Sequence, residues 1–306
     1  MLGAACARLN AVKRSLLLVA ALVLAACSSG TEAGPSPTPA PCDAGAPGTR
    51  EVKVGKRSFL LHIPREVRNP SPVVFTFHGR GSNAQQQMLL TGFDQVAEAG
   101  RFIVVAPNAV DGRWDILGGT DADYLKAVYD AVPCADPTRV YASGMSMGSA
   151  LTFALACAPD RKFAAFGGVA LTLFAPPCEK AAPAPIIYFH GTKDPIVPFR
   201  GGQPQGETEA VELPAVPAAM RDWADHNGCQ TDTVERIGGD VRLTEWADCT
   251  DNADVKFYRV QGAGHTWPGA SPFVADAIEP TLGKTTQSVT ASTLMWEFFQ
   301  QYTLAP

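Results

Sequence analysis

Three short runs constrain this chain more than anything else in it. Residues 73–77 (Val-Val-Phe-Thr-Phe), 102–106 (Phe-Ile-Val-Val-Ala) and 186–190 (Ile-Ile-Tyr-Phe-His) are almost continuously apolar and rich in β-branched and aromatic residues. A strand with one face in water alternates polar and apolar residues; a strand buried on both faces does not. Segments with helical spacing fall between these runs, at 83–99, 121–131 and 149–158, with further strands expected at 139–143, 163–170 and 254–260. A hairpin over 51–55 and 58–64, turned at Gly55-Lys56, opens the series. Residues 209–227 read as partly helical. The C-terminal stretch 286–302 reads as a helix carrying Ala291, Leu294, Met295, Phe298 and Tyr302 on one stripe. Strands alternating with helices predict an α/β fold: a mostly parallel central sheet with helices on both faces. In such sheets the reactive groups gather outside the carboxyl ends of the strands.

Four of those strand ends carry unusual residues. His78-Gly79-Arg80-Gly81-Ser82 follows the first run, and Gly144-Met145-Ser146-Met147-Gly148 follows 139–143. Gly191-Thr192-Lys193-Asp194-Pro195 follows 186–190, and Gly262-Ala263-Gly264-His265-Thr266-Trp267-Pro268-Gly269 follows 254–260. A serine between two glycines at a strand-to-helix junction is the pattern of a nucleophile held on a sharp turn, and Ser…Asp…His is the chain order of the α/β-hydrolases. A serine hydroxyl attacks only when a base takes its proton. His265 is the candidate base and Asp194 the carboxylate that would orient it. The oxyanion of a tetrahedral intermediate needs fixed N–H donors, expected from Met147 and Arg80. Trp267 reads either as packing or as a wall of an acyl or aryl pocket, and His78 stands where it could line a substrate pocket. His78 and His190, each preceding a glycine directly after a strand, also read as loop supports. His62, His226, Asp123 and Asp136 lie on the wrong elements for the order. Taken singly, Asp194 could merely cap a turn before Pro195.

The N-terminus reads as a targeting segment. Arg8, Lys13 and Arg14 precede a short apolar stretch, 16–24, that ends in Leu24-Ala25-Ala26-Cys27. This resembles a bacterial lipobox and makes residues 1–27 a lipoprotein-type signal peptide with Cys27 the lipidated residue. Residues 28–45 are a Ser/Pro/Gly linker with too little apolar surface to fold, and 46–306 form a single catalytic domain. Six further cysteines, Cys42, Cys134, Cys157, Cys178, Cys229 and Cys249, suit three disulfides in an exported chain. They allow 15 pairings. Joining sequence neighbours gives Cys157–Cys178 and Cys229–Cys249, and leaves Cys42–Cys134. No cysteine or histidine spacing suggests a metal site. With a net charge of −5 and no basic run, nucleic acid is not an expected partner.

"FTFHGRGSN", "DPTRVYASGMSMGSAL", "YFHGTKDPIVPF" and "GAGHTWPG" together resemble the exported polyhydroxybutyrate depolymerase / feruloyl esterase / acetyl xylan esterase group of α/β-hydrolases. The likeness runs from about residue 48 to 303, and "GHTWPG" is its most specific element. It implies Ser146 as nucleophile, Asp194 as acid, His265 as base, disulfides, and no metal or organic cofactor. Ser149 stands where the group usually has a second glycine, and Arg80 where it often has a small residue or a cysteine. The function expected is an exported serine carboxylic ester hydrolase, membrane-anchored at the envelope or secreted, acting on hydroxyalkanoate oligomers or feruloyl- or acetyl-type esters. A catalytically silent ligand-binding lipoprotein and a peptidase with the same triad are the alternatives.

Overall fold

Alternation of side chains along each strand builds the two faces of the sheet. In a computed structural model that describes residues 42–116, 119–172, 180–206 and 211–304, the chain opens with an antiparallel hairpin, β1 (Gly48–Val54) and β2 (Arg57–Ile63), followed by β3 (Ser71–Phe77). Two helices come next, α1 (Ala84–Thr91) and α2 (Phe93–Gly100), then β4 (Ile103–Pro107), α3 (Ala122–Asp130), β5 (Ala135–Met145), α4 (Met147–Ala156), β6 (Ala165–Val169) and β7 (Ile186–Gly191). After α5 (Val216–His226) a second hairpin, β8 (Thr231–Ile237) and β9 (Val241–Ala247), precedes β10 (Val255–Val260), α6 (Pro272–Leu282) and α7 (Ala291–Phe299).

All ten strands form one sheet in the order β1-β2-β4-β3-β5-β6-β7-β10-β9-β8. The run from β4 to β10 is parallel, and the antiparallel hairpins close both edges. Odd positions of β3 (Val73, Phe75, Phe77) pack with α3, α4 and α5. Val74 faces the other way, towards α1, α2 and α7. This is the period of two expected for a strand covered on both sides. Strand order reverses at β3, whose neighbours are β4 on one side and β5 on the other. Such a switch point opens a crevice at the strands' carboxyl ends, and the loops after β3 and β5 are those of His78 and Ser146.

Several expectations shift. The single helix over 83–99 is two, because Gly92 takes a left-handed conformation (φ 59°) that caps α1 and starts α2. Helix α4 begins at Met147, and α7 at Ala291 rather than 286. The β8–β9 hairpin and α6 were not anticipated. β8 is exposed over nearly its whole length and so shows no apolar pattern, and α6 carries Pro280 in its interior. Cys42 pairs with Cys134 and Cys229 with Cys249. Cys157 is also disulfide-bonded, while Cys178, its expected partner, lies outside the described residues. So do the signal segment, Cys27 and the linker up to residue 41.

Candidate active site

The turn after β5 puts its strain on the serine itself. Ser146 has φ 54° and ψ −121°, a region that costs a non-glycine residue on the order of 1–3 kcal/mol. It is held there by its own N–H, which donates to Val169 O at 2.9 Å, and by its carbonyl, which accepts from Ala150 N at 3.0 Å. The flanking glycines serve close approach instead. A Cβ on Gly144 would sit 2.2 Å from Gly148 O, and one on Gly148 would sit 2.1 Å from Phe77 O. Helix α4 can therefore start directly against the ends of β3 and β5. Its first N–H groups have no partner inside the helix, and Met147 supplies the first of them. Ser146 is the capping residue of this helix end, which carries the positive end of the helix dipole.

The loops after β7 and β10 are stitched together. Thr192 N donates to Val260 O (2.8 Å), Lys193 N to Ala263 O (2.9 Å) and Gly262 N to Thr192 Oγ1 (2.8 Å). His265 N donates to Leu282 O (2.7 Å), which ties its loop to the end of α6. Within this frame Asp194 is fully enclosed. Its Oδ1 accepts from the N–H groups of Ile196 and Val197, both at 2.8 Å, and its Oδ2 accepts from His265 Nδ1 at 2.8 Å. A carboxylate can only accept, so the proton of a neutral His265 lies on Nδ1 and Nε2 is left as a base. His265 is 5% exposed. Both it and Ser146 lie on the wall of one cavity.

The loop after β3 forms another side of that cavity, through Gly79 and Arg80. His78 does not face it. Its ring is completely buried and accepts from Ala109 N at Nε2 (3.1 Å), which leaves Nδ1–H to donate to Gly79 O (2.8 Å). Burial, the largest influence, lowers its pKa below the ordinary histidine value. Trp114 Nε1 donates to the carbonyl of His78 at 2.8 Å. Behind it Arg57 lies over the Tyr124 ring and pairs with Asp121 at 2.5 Å. The expected pocket role of His78 is thus corrected. The residue fixes the Gly79–Arg80 peptide, whose carbonyl and Arg80 N–H point in opposite directions.

Trp267 is corrected in the same way. It is 0% exposed, packs against Phe93, and donates from Nε1 to Ser292 Oγ at 3.0 Å. Ser292 in turn donates to Thr91 O at 2.6 Å. The indole therefore pins the His265 loop to α7 and α1, because a side chain this large is most stable inside the core.

The cavity encloses about 530 Å³. Ser146 and His265 share it with two opposed helices. Leu89 and Leu90 come from α1, and Phe273, Val274 and Ile278 come from α6. Leu89 is 58% and Phe273 78% exposed, so each of the two helices presents a large apolar side chain to solvent beside the cavity. Much of the lining thus comes from two stretches of chain, 79–90 and 273–282. Sequence reasoning missed α6, although Ser271-Pro272 is a helix-start signal: Ser271 Oγ accepts from Val274 N at 3.4 Å and proline occupies the first turn.

No family model matches the chain. It is similar to the bifunctional acetylxylan esterase/xylanase of Neocallimastix patriciarum, 25% identical over 83% of this chain and 34% of that protein, so it spans about a third of that relative. It is 26% identical to feruloyl esterase C of Emericella nidulans, over 81% of this chain and 85% of that enzyme. Among solved structures, the acetyl xylan esterase from Aspergillus awamori superposes with a TM-score of 0.55 at 17% identity, covering 76% of this chain and 98% of that one.

Proposed function

We propose that this carboxylic ester hydrolase of α/β-hydrolase fold works through an acyl-enzyme on Ser146, with His265 as base and Asp194 as its orienting carboxylate. The observation that carries the reading is the 2.8 Å hydrogen bond from His265 Nδ1 to Asp194, with His265 and the strained Ser146 on one cavity wall. In this reading His265 Nε2 takes the proton from Ser146 Oγ as Oγ attacks the ester carbonyl carbon. The oxyanion accepts from Met147 N–H and Arg80 N–H, and removal of one such donor typically costs about 10²–10³ in kcat. As the intermediate collapses, His265 passes its proton to the departing alkoxide. Water then attacks the acyl-enzyme by the same route in reverse, returning the acid and free Ser146.

The cavity supports a particular acyl group. Acetyl fills a small part of about 530 Å³, and the walls offered by α1 and α6 are mainly aliphatic and aromatic. An aromatic or medium-chain acyl group buries much more apolar surface there, at about 25 cal/mol per Å². We therefore place feruloyl-type and longer acyl esters, including hydroxyalkanoate oligomers, ahead of acetyl esters. The test is a panel of acetyl, butyryl, feruloyl and 3-hydroxybutyryl oligomer esters on residues 28–306, with Ser146→Ala as control. Hydrolysis of the larger esters that disappears in the variant supports the reading. No hydrolysis by folded wild type overturns it.

The disulfides suit an exported protein, and the Leu24–Cys27 motif supports a lipid anchor on Cys27. Metabolic labelling with a radioactive fatty acid tests this. Incorporation into wild type but not Cys27→Ala is expected, and equal labelling of both refutes the anchor.

A further inference from the structure

Beside Asp194, close to the same carboxylate oxygen that receives His265, lies a second histidine that the proposed reaction does not use. His190 is the next-to-last residue of β7, and Tyr188 precedes it by two, so both side chains project from the same face of a central strand. His190 is 1% exposed. Its Nδ1 lies 2.7 Å from Tyr188 Oη, and its Nε2 lies 3.0 Å from Val197 O and 3.4 Å from Asp194 Oδ2. The tautomer follows from the partners. A carbonyl can only accept, so the proton is on Nε2, and Nδ1 must then accept from the Tyr188 hydroxyl.

These bonds close a ring around the carboxylate. Val197 accepts from His190 through its carbonyl and donates through its N–H to Asp194 Oδ1. Oδ2, the oxygen that receives His265, also has the His190 Nε2 within 3.4 Å. We propose that His190 is a positioning residue: held in the Nε2–H form by Tyr188, it pins the Asp194–Val197 turn and presents Oδ2 of Asp194 to His265. The inference rests on the proposed roles of Asp194 and His265.

Electrostatics suit a neutral ring at this point. Burial pushes the pKa of His190 down to about 4, against the opposing pull of the Asp194 charge, and the neighbouring His265 lowers it further. Burial likewise raises Tyr188 well above an ordinary tyrosine, so its hydroxyl remains a donor. Phe199 is a further neighbour, its ring 5.9 Å from that of His190 and with Arg259 lying over it. His190 thus supplies a hydrogen bond without a charge. The full countercharge of Asp194 stays available for the imidazolium that forms at His265 during attack.

The experiment compares wild type with His190→Gln, His190→Leu and Tyr188→Phe. Glutamine keeps an N–H donor and a carbonyl acceptor, leucine keeps only bulk, and Tyr188→Phe releases the tautomer while leaving the ring. Two readouts are taken: kcat and KM on a p-nitrophenyl ester, per folded molecule, and the low-field proton resonance of the His265 Nδ1–H···Asp194 bond. Expected are a loss of about tenfold or more in kcat with little change in KM for His190→Leu, and a smaller loss of the same kind for Tyr188→Phe. His190→Gln should be largely rescued, and the resonance should shift or broaden in the two impaired variants. Unchanged kcat and resonance in both His190→Leu and Tyr188→Phe would overturn the proposal, as would a glutamine variant no better than leucine. If His190→Leu does not fold, Tyr188→Phe decides. If wild type hydrolyses no ester, the esterase reading fails, while the resonance still reports whether His190 holds Asp194.

Discussion

At the scale of single residues, much of the site depends on groups that carry no charge. His190 stays neutral because burial costs its charged form more than Asp194 can return. That has a consequence for stability. In the unfolded chain a histidine takes up its proton near pH 6.5, while the folded ring does so only near 4. The unfolded state therefore binds more protons in between. The contribution is fully present above about pH 6.5 and is lost as pH falls towards 4, to a total of about 3 kcal/mol. Urea midpoints measured from pH 7 to 4 should fall across this window. In His190→Gln that component of the slope should be absent, and identical slopes would contradict the assignment. Ser146, Gly144 and Gly148 divide the work of the elbow between them. The serine carries the positive φ, while Gly144 makes room for the backbone of Gly148, and Gly148 for that of Phe77 and His78.

At the scale of elements, two helices decide what can reach Ser146. Helix α6 brings Phe273 to the mouth of the cavity, 78% exposed, where a water-facing phenyl ring gains nothing in the free protein. Its contact area becomes useful once a ligand covers it. Phe273→Ala should raise KM for feruloyl or longer-chain esters about 5- to 20-fold, corresponding to roughly 1–2 kcal/mol of lost apolar burial. KM for an acetyl ester should change little. Equal effects on both would show that the ring serves α6 rather than the acyl group. The loop after β3 illustrates how an element can be held from behind. His78 holds the carbonyl of Gly79, which lines the cavity, Trp114 holds the carbonyl of His78, and the Arg57–Asp121 pair holds the backbone of Asn108 and Asp115 behind them.

At the scale of the whole molecule, the disulfides tie distant parts of the chain. Cys42–Cys134 spans 92 residues and ties the segment before β1 to the start of β5, whereas Cys229–Cys249 closes only 20. On the chain-entropy model the long loop is worth between about 4 and 5 kcal/mol and the short one about 3 kcal/mol. Thermal scans of Cys42→Ser/Cys134→Ser and Cys229→Ser/Cys249→Ser should both show lower midpoints, with the larger fall in the first. No fall in either would remove the case that these bridges stabilise the domain.

Local sequence was enough to reveal the first hairpin and the parallel strands, the order of Ser146, Asp194 and His265 at strand ends, and the elbow, because each depends on neighbours within a few residues. Apolar runs specify buried strands, and close backbone approach admits only glycine at 144 and 148. The same local signals left Trp267 open between packing and the pocket, and His78 between loop support and the pocket. Both stand next to candidate site residues in the chain, yet each turns into the core, where Ser292 and Ala109 await it from elsewhere in the sequence. They missed α6 as the second wall, because Pro280 breaks its pattern. They also read His190 only as a loop support, with no sign of its contact with the Asp194 carboxylate. Which side chain ends in the cavity and which behind it depends on how the loops after β3, β5, β7 and β10 pack together. Contacts of that range exist only once the sheet has formed.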